Sequence, residues 1–309
     1  MEKTKKDLKF YLNKALKQKF SLGAFNFCNM ESLQSILTAC KKTNSPAIVA
    51  VSESALKYMG EEFTIALFNA CKKQFPALFL HLDHGKTFNV CKKAVDLGFD
   101  SVMIDGSNLS FEENVKLTKK VVDYAHKKGV LVEGEIGQIK GVEDNISAKN
   151  NVYTSPKQAC DFATETKVDM LAVAIGTSHG INKYTKTPTL RLDILTEIEK
   201  LLPSLPIVLH GASTINQELI KTYNKFGGKI KKAIGVDEDL LKEAVQKHNV
   251  VKINTDSDIR LSFSSETRKV LAENKIEIDP RKYLAKGRMK AEEIISEKIE
   301  KTLNSKNKK

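Results

Sequence analysis

Tryptophan is absent from the 309 residues, no Cys-X-X-Cys pair occurs, and arginine is found only at Arg191, Arg260, Arg268, Arg281 and Arg288. Each lack excludes something. Without Trp, and without a basic run interleaved with aromatics, a nucleic-acid stacking platform has little support. The formal charge of +12 is therefore read as a lysine-rich solvated surface, which also suits an anionic small substrate. The cysteines (Cys28, Cys40, Cys71, Cys91, Cys160) are odd in number and widely spaced, a pattern of free thiols in a reducing compartment. No stretch approaches the apolar length of a bilayer span, and the opening Met-Glu-Lys-Thr-Lys-Lys-Asp carries no signal-peptide core. The expectation is a cytoplasmic protein without a membrane or nucleic-acid partner. No GxGxxG follows the first strand candidate, which weighs against a doubly wound dinucleotide fold. No internal repeat or interdomain linker is visible.

What is present is a rhythm. Short apolar runs recur at 23–27, 47–52, 78–83, 101–105, 130–136, 171–176, 206–210 and 250–254. Between most of them lie segments of helical period: 31–42, 61–74, 87–97, 111–128, 156–166, 191–201 and 215–225. Strands alternating with helices imply a parallel α/β architecture, and eight strand candidates favour a closed (β/α)8 TIM barrel. One domain over 1–309 is expected, with an N-terminal helix over 4–19 and a C-terminal helical extension over 259–274 and 282–304, then a frayed tail. A further helix is expected near 237–247. Residues 138–155 are polar, glycine-bearing and aperiodic, as an active-site loop would be.

Polar residues gather where strands end, which is where a barrel keeps its chemistry. Leu-Phe-Leu-His-Leu-Asp-His-Gly (78–85) reads as a buried strand running into a polar site. Asp83 and His84 are adjacent, so a straight strand points them to opposite faces; a turn permitted by Gly85 lets both reach one pocket. Asp105 ends the fourth strand, and Glu133 and Glu135 share one face of the fifth. His179 follows the sixth, His210 closes the seventh, and Asn254, Asp256 and Asp258 close the eighth. His84, His179 and His210 are each followed by glycine. Taken singly, each is more often a hydrogen-bonded structural histidine; three at equivalent strand ends point to a zinc-type site with a nearby carboxylate. His81 shares the parity of Asp83 and suits either a supporting or a packing role. Gly180, Gly211 and Ser213 offer backbone N–H groups and a hydroxyl where barrels commonly hold phosphate, although glycine also serves plain tight turns.

The set HLDHG (81–85), EGEIG (133–137), GTSHG (176–180), LHGAS (209–213) and KINTDSDIR (252–260) resembles the class II, metal-dependent fructose-bisphosphate aldolases, in order along nearly the whole chain. The resemblance implies a (β/α)8 barrel that reversibly cleaves fructose 1,6-bisphosphate to dihydroxyacetone phosphate and glyceraldehyde 3-phosphate through a metal-stabilised enediolate. It implies zinc, cobalt or another divalent ion on His84, His179 and His210, with Glu135 coordinating or beside it and Asp105 and Glu133 near an alternative position. A monovalent cation, Na+ or K+, is implied near the phosphate. Asp83 matches the acid–base group at the C4 hydroxyl, and Glu143 the mobile-loop acid. Gly180, Lys183, Gly211, Ser213 and Ser257 match the pocket for the dihydroxyacetone-phosphate end. Asn254 and Asp256 match residues holding sugar hydroxyls, and Asn26 and Ser52 line the same site. Arg281 matches an arginine reaching a neighbouring subunit's second phosphate, which implies a homodimer or homotetramer. One departure is visible: Lys140-Gly141-Val142-Glu143 lacks the double glycine common in the family. The alternatives are a tagatose 1,6-bisphosphate aldolase, which Asp256 argues against, and a barrel metallohydrolase, which leaves Glu143 and Arg281 without a role.

Overall fold

The computed structural model describes residues 6–139, 141–143, 146–148, 153–178, 180, 188–231 and 233–309, with 141–143 and 146–148 described by backbone alone. The strands in chain order are β1 (Leu22–Asn26), β2 (Ala47–Ser52), β3 (Leu78–Gly85), β4 (Ser101–Ile104), β5 (Leu131–Ile136), β6 (Gly141–Glu143), β7 (Ile146–Ala148), β8 (Met170–Val173), β9 (Ile207–Leu209) and β10 (Val250–Thr255). Eight of them close a barrel in the order β1-β10-β9-β8-β5-β4-β3-β2, while β6 and β7 pair separately. All barrel pairings are parallel, and β1 closes the ring against β10 with Leu22 opposite Lys252 and Ala24 opposite Asn254.

The barrel strands are apolar on both faces because one face meets the helices and the other the interior; β2, Ala-Ile-Val-Ala-Val-Ser, is buried throughout. The helices are α1 (Leu8–Gln18), α2 (Met30–Thr43), α3 (Glu53–Met59), α4 (Glu61–Gln74), α5 (Phe88–Asp96), α6 (Phe111–His126), α7 (Pro156–Thr166), α8 (Leu192–Leu201), α9 (Gln217–Lys225), α10 (Glu238–Lys247), α11 (Ser257–Glu273) and α12 (Pro280–Lys301). Their starts are written in the sequence. Asn29 and Ser32 cap α2 reciprocally, as Ser110 and Glu113 cap α6; Ser155 precedes Pro156 at the start of α7. The core forms between the sheet and the helix layer, where Tyr11, Phe20, Phe25, Phe27, Phe79, Phe99 and Phe162 are the largest apolar side chains. Full burial of each such ring contributes roughly 1.5–3 kcal/mol.

One helix is added to the expected set and two expectations are corrected. Helix α3 went unforeseen because it spans only 7 residues and buries only Ala55 and Leu56, too little to display a period. The 138–155 stretch is not wholly loop, since it holds the antiparallel pair β6–β7. The tail is docked, not frayed: Ser305 Oγ lies 2.9 Å from Ser45 Oγ, and the Asn307 and Lys309 amides donate to Thr43 and Asn44. Among the described residues, no helix is long and apolar enough to cross a membrane.

Candidate active site

The site is built on an irregularity in β3. The register against β4 shifts between Leu82 and Gly85, and His84 has φ 51°. A bulge with one residue in the left-handed region re-aims side chains, so the adjacent Asp83 and His84 both face the carboxyl-end mouth. The turning residue is His84 itself, not Gly85 as its glycine suggested. Such a conformation costs a non-glycine residue about 1–3 kcal/mol and must be held by its surroundings. Asp105 is one holder, with Oδ2 at 3.0 Å from His84 Nδ1. Asp105 in turn accepts from Lys86 Nζ (2.7 Å) and from the amide and hydroxyl of Ser107 (3.1 and 2.6 Å).

A second network runs through the barrel interior. Asp83 accepts from Asn26 Nδ2 at 2.8 Å and from Asn254 Nδ2 at 2.9 Å, one amide to each oxygen. Lys252, fully buried on β10, donates to Asn254 Oδ1 at 2.7 Å and stands 2.9 Å from Glu133 Oε2. A lysine can only donate. Lys252 therefore fixes which way the Asn254 amide faces, and turns its NH2 toward Asp83. Glu133 Oε1 meets His210 Nε2 at 2.7 Å, and His81 Nδ1 meets Ser101 Oγ at 2.8 Å with Nε2 3.7 Å from Glu133.

The charges are mutually tuned. Burial works to raise the Asp83 pKa, but His84, His210 and Lys252 together with the Asn26 bond outweigh it and hold the acid below its ordinary range. Burial opposes protonation of His84, yet Asp83 and the Asp105 bond push it up to about 9. Burial, joined by the charge of Asp105, pushes Glu135 up to about 8. Burial and Lys252 drive His81 well below the usual histidine value.

In each of two buried groups, Asp83–His84–His210 and His84–Asp105–Glu135, the donor atoms all lie within 4.8 Å of one another. The His84 and His210 rings are 4.5 Å apart between centroids. Among the described residues Glu135 Oε2 is buried without a hydrogen-bond partner, 3.8 Å from His84 Nδ1. An orphaned carboxylate oxygen beside the His84 imidazole, with Asp105 in the same group, fits a divalent cation with nitrogen and oxygen ligands.

The remaining expected residues fall in three groups. Asn26, Ser52, Asn254, Asp256 and Ser257 sit at the mouth: Ser52 is opposite Asp83 in the β2–β3 ladder and caps α3, while Asp256 Oδ1 accepts from Arg260 Nε at 2.7 Å. Gly211 (φ 61°) presses on the next strand's loop so closely that a Cβ would stand 2.6 Å from the Ser178 backbone; Ser213 beside it is buried. Gly180 is described, but His179, Lys183 and the Glu143 side chain lie outside the described residues. Arg281 stands apart, 89% exposed on the first turn of α12 with its guanidinium on Asp279. Sequence reasoning overlooked Lys252 and Lys86. Lys252 had a signal, being a lysine in an otherwise apolar strand at the parity of Asn254; Lys86 had none beyond adjacency to the His-Gly turn.

Fold and cluster together define a (β/α)8 barrel with a candidate metal centre at its carboxyl-end mouth. A family profile described as fructose-bisphosphate aldolase class-II matches residues 6–308. Fructose-bisphosphate aldolase of Helicobacter pylori (strain ATCC 700392 / 26695) is 44% identical over 301 residues, 96% of this chain and 97% of that one. The Treponema pallidum (strain Nichols) protein of the same name is 41% identical over 312 residues, covering 94% of each. The crystal structure of the YdjI aldolase from Escherichia coli K12 superposes with a TM-score of 0.78 at 25% identity over 98% of both chains. The chain belongs to the class II fructose-bisphosphate aldolase family.

Proposed function

We propose that this protein reversibly cleaves fructose 1,6-bisphosphate into dihydroxyacetone phosphate and glyceraldehyde 3-phosphate, as a zinc-dependent cytoplasmic enzyme working as a homodimer or homotetramer. The observation that carries the proposal is the position of Asp83: an ionised, doubly hydrogen-bonded carboxylate whose Oδ1 is 3.9 Å from His210 Nδ1, inside the donor cluster. Asp83 takes the proton from the C4 hydroxyl as the C3–C4 bond breaks, and returns it in the reverse direction. Asn26 and Asn254 hold that carboxylate in one orientation; Asn26 Oδ1, buried and without a partner among the described residues, is left to accept from a sugar hydroxyl. His84 and His210, with His179 and Glu135, hold the divalent ion, and Asp105 and Glu133 orient these histidines from behind. When bound, that ion supplies Lewis-acid stabilisation of the negative charge developing on the substrate's oxygens. Glu143 delivers a proton to C3 and completes dihydroxyacetone phosphate. Gly180, Lys183, Gly211, Ser213 and Ser257, with a monovalent cation, bind the phosphate of that end, and Arg281 of one subunit serves the other phosphate in its neighbour.

Asp256 favours fructose over tagatose bisphosphate. An acid already oriented by Arg260 distinguishes the two hydroxyl epimers, because only one of them points its hydroxyl at the carboxylate. The test is coupled-assay cleavage of both bisphosphates, before and after chelation and zinc restoration. Chelator-sensitive cleavage favouring fructose is expected. A tagatose preference would overturn the role of Asp256; cleavage of neither by the zinc-loaded protein would overturn the activity.

A further inference from the structure

The geometry points to Asp258 and Lys298 as positioning residues that hold the Gly211–Ser213 anion cradle in its binding shape, an inference that rests on the phosphate-binding role proposed for that cradle. Asp258 lies in the first turn of α11 and is 3% exposed. Its Oδ2 accepts from the Thr214 amide at 3.1 Å and its Oδ1 from the Ile215 amide at 2.8 Å. Those two peptides follow Ser213 directly. Ile215 carries φ 51°, a left-handed conformation that a β-branched residue adopts only under constraint. Asp258 supplies the constraint: one carboxylate takes two consecutive N–H groups and fixes the peptide planes on either side of the Thr214 α-carbon.

A buried carboxylate needs a countercharge. Lys298 provides it from α12, with Nζ 2.8 Å from Asp258 Oδ2 and both side chains 4% exposed. Among the described residues Lys298 Nζ makes no well-directed hydrogen bond, so its contribution is charge, not a shaped contact. The rest of the turn is closed around this clamp. The Val236 amide donates to Ser213 O at 3.1 Å and Gln217 Nε2 to Ile215 O at 3.1 Å, while a Cβ on Gly235 would stand 2.1 Å from the Thr214 carbonyl. This arrangement holds the turn that follows Ser213. Its effect is confined to one end of the substrate, and that gives it a signature distinct from a general loss of fold.

The test measures condensation kinetics of the zinc-loaded enzyme, comparing Asp258→Asn, Lys298→Met, Lys298→Arg and the Asp258→Asn/Lys298→Met pair. Asp258→Asn and Lys298→Met are expected to raise the KM for dihydroxyacetone phosphate about tenfold, the loss of one ionic interaction behind the turn. They should weaken competitive inhibition by inorganic phosphate in parallel and leave the KM for glyceraldehyde 3-phosphate unchanged. Lys298→Arg should stay near wild type. The double variant should be no worse than Asp258→Asn, because Lys298 acts only through Asp258. Unchanged KM values in folded variants overturn the inference, as does a fall in kcat with both KM values shifted together. An additive double variant overturns the linkage of Lys298 to Asp258. If Asp258→Asn does not fold, Lys298→Met carries the same readout alone. A wild-type enzyme that cleaves no bisphosphate overturns the activity itself, a result separate from an active wild type with insensitive variants.

Discussion

Replacing Lys252 by methionine tests whether the barrel interior is held by charge. The substitution keeps an apolar stem of similar length and removes only the ammonium. Lys252 and Glu133 are both fully buried, with Nζ and Oε2 2.9 Å apart. At that distance and an effective dielectric of 20 the attraction is about 6 kcal/mol. Part of it offsets the cost of burial, and removing one partner of such a pair typically costs about 3–5 kcal/mol. The change also strips Asn254 Oδ1 of its donor. For a chain of this size about 2–4 °C accompanies each kcal/mol, so the midpoint of thermal unfolding should fall by roughly 6–20 °C. The assay is thermal unfolding with a chelator present, so that bound metal does not mask the effect. Adding Glu133→Gln should recover at least half of the loss, because no buried charge is then left alone. A single variant that melts within about 2 °C of wild type, or a double variant less stable than the single, would refute the argument.

The other expectations concern the acid and the pH. Asp83→Ala should lower kcat for cleavage by about 10²–10⁴-fold while zinc content, measured by atomic absorption, stays at the wild-type level; turnover within threefold or so of wild type would remove Asp83 from the chemistry. In the metal-free protein His84 and Glu135 hold protons up to about 9 and about 8, against 6.5 and 4.5 ordinarily. Both pKa values are raised on folding, so their stabilisation is complete below the ordinary values and is lost as pH climbs through about 8 and about 9. The chelated protein should therefore melt at progressively lower temperature from pH 6.5 to 9, a window fixed by those two groups; a flat profile would contradict the cluster's geometry. Zinc should displace these protons, so calorimetric uptake in two buffers of different ionisation heat should report proton release.

The barrel was legible because its signal is redundant: apolar runs repeat with helical segments between them, and any one error leaves the rhythm intact. The strand ends were legible because polar residues at the close of an apolar run stand out against it. Less visible was anything requiring coordinates. That His84 and not Gly85 makes the turn depends on the β4 register, which no local pattern encodes. The pairing of Lys252 with Glu133 joins residues on strands that are not neighbours in the barrel, and Asp258 meets Lys298 across 40 positions of sequence. The docked tail escaped notice because Asn-Ser-Lys-Asn-Lys-Lys looks solvated by composition, whereas its order comes from backbone bonds to Thr43 and Asn44. Composition is silent about those.

The way the ring closes has a consequence for how the chain is made. Strand β1 completes the barrel only against β10, and the Ser21 amide just before it donates to Leu303 O. Until β10 has left the ribosome, β1 has an open edge on one side. Synthesis at roughly 5–20 residues per second leaves that edge waiting for on the order of tens of seconds. During that interval the apolar Leu-Gly-Ala-Phe-Asn strand is a pairing template for other chains. The nascent chain is therefore more exposed to mispairing than its finished form would suggest.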